Sequence, residues 1–211
     1  MRRVAALLIA SSLAIGGCGS GGDSPSGPGS TLTVALPSTT VASGTSTQAA
    51  ATVADQSGGV TPATNVAWST SDQTIATVSS TGLVTGMLVG SAVITATSAG
   101  MSAHATVKVV PGTASRVVVY SGNSQTGATG ATLPDPLCTN VVDAAGNLII
   151  GAVVTYVVAS GGGQLAEPRA PTTQPGGIAT SGLWTLGAVV GAQTVTASSG
   201  GASVTFSATA H

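Results

Sequence analysis

Beyond residue 30, Ala, Val, Ile and Leu alternate with Thr, Ser and other polar residues in short runs, and turns bearing Gly, Pro, Asn or Asp separate the runs. A period of two is what a pleated strand with one buried face requires. Within 102–110, for example, Ala103, Ala105, Val107 and Val109 fall on one face and His104, Thr106 and Lys108 on the other. The pattern predicts strands at 31–36, 47–54, 66–70, 75–78, 83–85, 91–97 and 102–110. Pro111-Gly112 then interrupts it, and further strands are predicted at 115–120, 137–142, 152–159, 178–186, 193–198 and 203–208. No stretch sustains a helical period, and turns recurring about every 8–12 residues are the spacing of antiparallel sandwiches. The expected fold is therefore all-β: two β-sandwiches in tandem, residues 31–110 and 113–211. Asp143–Asn147, Gly161–Gly163 and Pro175–Gly177 supply turns. The segment 167–175 carries Pro168, Pro171 and Pro175, which makes it a loop or a frayed edge, since proline cannot donate to a central ladder.

The first thirty residues follow different rules. Arg2 and Arg3 precede an apolar run from Val4 to Ile15, broken only by Ser11 and Ser12, and Gly16-Gly17-Cys18 closes it with small residues. Those are the three regions of an export signal. At about a dozen residues the run is too short for the roughly 20 that span a bilayer, which favours cleavage over a permanent anchor. Leu13-Ala14-Ile15-Gly16-Gly17-Cys18 resembles a bacterial lipobox, which implies a signal peptide at 1–17 and a Cys18 that becomes the diacylated mature N-terminus, holding the protein to a membrane. Residues 18–30 carry nothing able to bury apolar area and form a Gly/Ser/Pro-rich tether. Gly19 and Ser20 stand where an inner-membrane retention signal would place Asp, so the outer membrane is the expected address.

Composition narrows the chemistry. Charged residues make up 5% of the chain, against about 25% in ordinary globular proteins. Lys108 is the sole lysine and Glu167 the sole glutamate. A net charge of −1 gives no basic footprint for nucleic acid. Catalysis by general acid and base wants positioned carboxylates or histidines, and with His104 on a polar strand face and His211 in last place no histidine-dependent site is expected. If Cys18 is lipidated, Cys138 has no disulfide partner and reads as a structural strand residue. Asp135, Asn140, Asp143 and Asn147 offer oxygens, but two carboxylates are few for calcium, and Asp143 with Asn147 more simply closes a turn. Gly161–Gly163 has no following helix and lysine, so it reads as a hairpin loop and not a phosphate cradle. Trp68 and Trp184 are expected in the cores, with too few other aromatics to build a stacking platform for sugars.

Several ordered motifs resemble known families. Val66-Ala67-Trp68-Ser69-Thr70-Ser71-Asp72, Ile75-Ala76-Thr77-Val78, Thr81-Gly82-Leu83-Val84-Thr85-Gly86 and Gly90-Ser91-Ala92-Val93-Ile94-Thr95-Ala96 are similar to the group 2 bacterial immunoglobulin-like domain. Leu133-Pro134-Asp135-Pro136-Leu137, Val141-Val142-Asp143-Ala144-Ala145-Gly146-Asn147, Trp184-Thr185-Leu186-Gly187 and Gly191-Ala192-Gln193-Thr194-Val195-Thr196-Ala197 resemble the group 1 repeat of invasins and intimins, in which an apolar residue is common at the position of Thr139. The resemblance implies immunoglobulin-like sandwiches serving as surface spacers, adhesion or protein-interaction modules, with no catalytic residue and no cofactor. The alternative is a carbohydrate-binding accessory of a cell-surface system. Implied partners are the membrane, through the Cys18 lipid, and other surface proteins or polysaccharide.

Overall fold

The computed structural model describes residues 29–172 and 176–211, and these contain strands and turns but no helix. The first half holds β1 (Thr31–Ala35), β2 (Thr40–Ala42), β3 (Ser46–Gln48), β4 (Ala50–Ala54), β5 (Val60–Pro62), β6 (Ala67–Thr70), β7 (Ala76–Val78), β8 (Leu83–Gly86), β9 (Gly90–Ser98) and β10 (Met101–Val110). The second holds β11 (Arg116–Ser121), β12 (Gln125–Gly127), β13 (Cys138–Val142), β14 (Val153–Ser160), β15 (Gly163–Leu165), β16 (Arg169–Pro171), β17 (Ile178–Thr180), β18 (Trp184–Leu186), β19 (Gly191–Ser199) and β20 (Ala202–Ala210). Sheets of order β1-β4-β5, β2-β10-β9-β6 and β3-β8-β7 build the first sandwich; β11-β13-β17, β12-β20-β19-β14-β16 and β15-β18 build the second. No sheet takes strands from both halves.

Each half closes over its own core. Val41, Val84, Ile94, Val107 and Val109 anchor the first, while Trp184, Tyr156, Phe206, Leu133, Leu137 and Leu186 anchor the second. The alternation expected for 102–110 is observed, with Val107 and Val109 fully buried and His104, Thr106 and Lys108 exposed. Long antiparallel hairpins, β9–β10 and β19–β20, form the middle of both main sheets. Their tight turns use Ala99-Gly100 and Gly200-Gly201, all four at positive φ, as a two-residue turn matched to sheet twist demands. In each sandwich the last strand also takes a short parallel partner: β2 runs along β10 and β12 along β20. Bonds from Lys108 N to Thr39 O (2.7 Å) and Ser43 N to Val110 O (2.9 Å) flank the first pair; Ser124 N to Ser207 O (2.8 Å) and His211 N to Gly127 O (3.0 Å) flank the second.

Two expectations need correction. The predicted strand 47–54 is two strands in different sheets, β3 pairing with β8 and β4 with β1, because the chain crosses between layers at the buried Ala49. The predicted strand 178–186 likewise divides into β17 and β18, with Gly182 at φ +65° between them. Of the two alternatives for 167–175, Arg169–Pro171 takes the edge: β16 pairs with β14 at the margin of the five-stranded sheet, where proline is tolerated. Thr139, at a position where an apolar residue was expected, is fully buried, its hydroxyl 2.8 Å from the Tyr156 hydroxyl, which donates to Ala179 O at 2.9 Å. That network ties β14 in one sheet to β13 and β17 in the other.

Candidate functional site

Most residues singled out in the sequence do not converge. The signal segment 1–17, Cys18 and tether residues 19–28 lie outside the described residues. His104, His211 and Glu167 are exposed and far apart in the chain, and no group of three or more His, Cys, Asp or Glu gathers among the described residues. Cys138 is half-buried on β13 with a free thiol. Asp135 is engaged through its backbone, which exchanges two hydrogen bonds with the Gln125 side chain, and Asn140 donates to the carbonyls of Gly176 and Gly177. Gly161–Gly163 is a turn but not the expected hairpin, since β14 and β15 lie in different sheets; a Cβ on Gly163 would meet the Thr185 carbonyl oxygen and one on Gly161 the Gln193 side chain. Trp184 is fully buried, as expected, with its indole N–H unpaired. Trp68 is only half-buried: β6 is an edge strand, and the ring rests beside Gly82 and lines an open hollow of about 280 Å³ with Thr70, Gln73 and Thr77.

Asp143 and Asn147 do come together, and at the junction of the two sandwiches. β13 delivers Asp143 to a turn in which its carboxylate Oδ1 accepts from Ala145 N (3.0 Å) and Asn147 N (2.9 Å). Oδ2 accepts from the Asn147 side-chain amide (2.9 Å) and from Gly112 N (2.9 Å), in the connection leading out of the first sandwich. The Asn147 amide then reaches across. Its Oδ1 accepts from Val89 N at 2.9 Å and its Nδ2 donates to Met87 O at 3.1 Å, so it pairs with a stretch of backbone much as a neighbouring strand would. Ser43 Oγ also donates to Met87 O (2.6 Å), and Gly112 lies so near Ser43 that a Cβ would stand 2.7 Å from the Ser43 carbonyl oxygen. Both side chains are buried, Asp143 at 2% and Asn147 at 9% exposure.

This arrangement settles the chemistry of the pair. Four N–H donors occupy the four acceptor positions of the carboxylate, leaving no lone pair for a cation. Burial pushes the Asp143 pKa up, but the hydrogen bonds from Gly112, Asn147 and Ala145 outweigh it and hold the carboxyl below its ordinary value. The site clasps backbone. Beside it lies an open apolar notch of about 660 Å³ lined chiefly by Val89, Pro111, Leu148, Ile149 and Ile150. Sequence reasoning found the Asp143–Asn147 turn but not its reach into the first sandwich. One signal could have pointed there: Gly86-Met87-Leu88-Val89-Gly90 is nearly repeated as Gly187-Ala188-Val189-Val190-Gly191.

Residues 30–110 match the family profile of the bacterial Ig-like domain (group 2). No curated protein matches the chain at a significant level. Among solved structures, the chain is similar to FdeC, an Escherichia coli adhesin, at 20% identity and a TM-score of 0.54, covering 85% of this chain. It spans 63% of the length of that FdeC chain. The D00-D0 domain of Intimin matches at 14% identity and a TM-score of 0.49, covering 84% of this chain and 96% of that one. The Yersinia pseudotuberculosis adhesin InvE matches at 18% identity and a TM-score of 0.39, covering 86% and 58%. The FdeC likeness is one of fold: all-β immunoglobulin-like sandwiches in series.

Proposed function

We propose that the protein is a non-catalytic, lipid-anchored component of the bacterial cell envelope whose two immunoglobulin-like sandwiches act as a surface spacer, adhesion or interaction module. The observation that carries this reading is the junction. A spacer needs its units held in a fixed relation, and here buried side chains of the second unit hydrogen-bond the backbone of the first at Met87 and Val89 and that of the connection at Gly112. The adhesin FdeC has a similar fold, which supports a surface role. Residues 113–211 are read as a group 1, invasin- or intimin-like unit, on the motifs around Asp143–Asn147 and Trp184–Gly187. The export signal, the lipobox ending at Cys18 and the residues Gly19 and Ser20 support attachment to the outer membrane by acyl chains, with the 18–30 segment as tether.

Labelling of cells with an alkyne-tagged fatty acid tests the anchor. The native chain takes up label and sediments with membranes, whereas Cys18→Ala takes up none and is released from the membrane fraction. An unlabelled native chain, or a labelled variant, overturns the anchor. A second reading, carbohydrate binding, is favoured by the half-exposed Trp68 in its hollow of hydroxyl and amide side chains. Polysaccharide that quenches tryptophan fluorescence in the native chain but not in Trp68→Phe would establish it; unchanged fluorescence removes it.

A further inference from the structure

The distal end of the second sandwich repeats the surface that the first sandwich offers to Asn147. Gly86–Gly90 and Gly187–Gly191 occupy the same place, between the strand pairs β8/β9 and β18/β19. Gly44 N donates to Gly86 O at 2.9 Å in one, and Gly130 N to Gly187 O at 3.2 Å in the other, each joining this loop to the turn after the short parallel strand. The backbone groups that Asn147 engages, Met87 C=O and Val89 N–H, correspond to Ala188 C=O and Val190 N–H. The buried Gln193 fixes the second loop from inside: it accepts from Gly187 N (2.8 Å) and donates to Gly187 O (3.2 Å) and Val189 O (2.7 Å). Those bonds bypass Ala188 C=O and Val190 N–H, which have no partner among the described residues. Val189 and Val190 are 60% and 71% exposed, against 43% and 48% for their counterparts Leu88 and Val89 at the filled junction.

We infer that the Ala188–Val190 loop is a docking socket for a further immunoglobulin-like unit whose turn carries Asp and Asn four residues apart, seated head to tail as residues 113–211 sit on the first sandwich. Recognition through backbone alone makes the socket indifferent to the side chains at 188–190. A second copy of this chain is not the occupant, because its own Asn147 is already engaged with Met87 and Val89. The inference does not depend on lipidation of Cys18.

The test joins a second copy of residues 112–211 to the full chain after His211 and reads amide hydrogen exchange residue by residue. Docking protects the Val190 amide by roughly tenfold or more relative to the unextended chain, the worth of one good hydrogen bond. Changing the added copy's equivalent of Asn147 to Ala abolishes that protection. In the unextended chain, Asn147→Ala releases the Val89 amide in the same way, which checks the template. A folded copy that leaves Val190 unprotected overturns the inference, as does an added copy that fails to fold after an end meant to receive it, or a Val89 amide indifferent to Asn147→Ala. Protection of Val190 that rises with concentration in the unextended chain assigns the loop to self-association and overturns it equally.

Discussion

Asp143 concentrates four charge-assisted hydrogen bonds on one buried carboxylate, so its removal strands donors from its own turn and from the connection between the sandwiches. Asp143→Ala is expected to cost about 3 kcal/mol at neutral pH, read as a lower urea midpoint. Because the folded carboxyl sits below its ordinary pKa, its contribution is complete above about pH 4 and is lost as pH falls through the folded value. Stability should therefore drop in that acid window, and Asp143→Asn should flatten the drop. Tyr156 titrates with the opposite consequence. Burial pushes its phenol up to about 12, so the unfolded chain ionises near 10 while the folded one does not, and stability is lost as pH climbs between those values. Tyr156→Phe removes this alkaline loss, deprives the buried Thr139 hydroxyl of its partner and takes one donor from the Ala179 carbonyl, at about 1–2 kcal/mol by equilibrium unfolding. Ala99 holds a φ of +48°, and Ala99→Gly should relieve about 1 kcal/mol of strain at that turn, raising the denaturation midpoint.

Among the elements, the long hairpins were legible because nine or ten residues display the period of two several times over. The strands missed by sequence, β2, β5, β12 and β15, have three residues each, too few to show a period; their identity comes from the partner strand. The layer changes inside 47–54 and 178–186 were hidden for a related reason, since alternation continues while the pairing partner changes. The same limit applied to the site. Asp143-x-x-x-Asn147 declares a turn locally, but Met87, Val89 and Gly112 contribute only backbone, which leaves no trace in residue type. Trp68 falls short of the predicted burial because its strand lies at an edge. Where the β18–β19 connection crosses the Gly161–Gly163 loop, backbone meets backbone, and a Gly187 side chain would run into the Gly161 carbonyl. Gly187→Ala should destabilise the second sandwich by about 1–3 kcal/mol, measured by thermal unfolding.

For the molecule as a whole, the two cores differ in what fills them. The first is built from Ala and Val with Ile94 as its largest fully buried side chain, while the second holds Trp184, Tyr156, Phe206 and three leucines. More apolar area leaves water in the second half. Each half also carries one tryptophan, so the halves can be followed separately. On heating, emission from Trp68 should change before that from Trp184, with single-tryptophan variants assigning the signals; simultaneous change would mean that the Asp143–Asn147 junction couples the halves into one cooperative unit. The parallel pairing of β2 with β10 and of β12 with β20 bears on a stretched chain. Each short strand lies near the start of its sandwich and each long one at the end, so pulling on the two ends slides the pair lengthwise. Under such shear the bonds at Thr39, Ser43 and β2 share the tension and must fail together, where an antiparallel terminal pair pulled from one end would unzip one bond at a time.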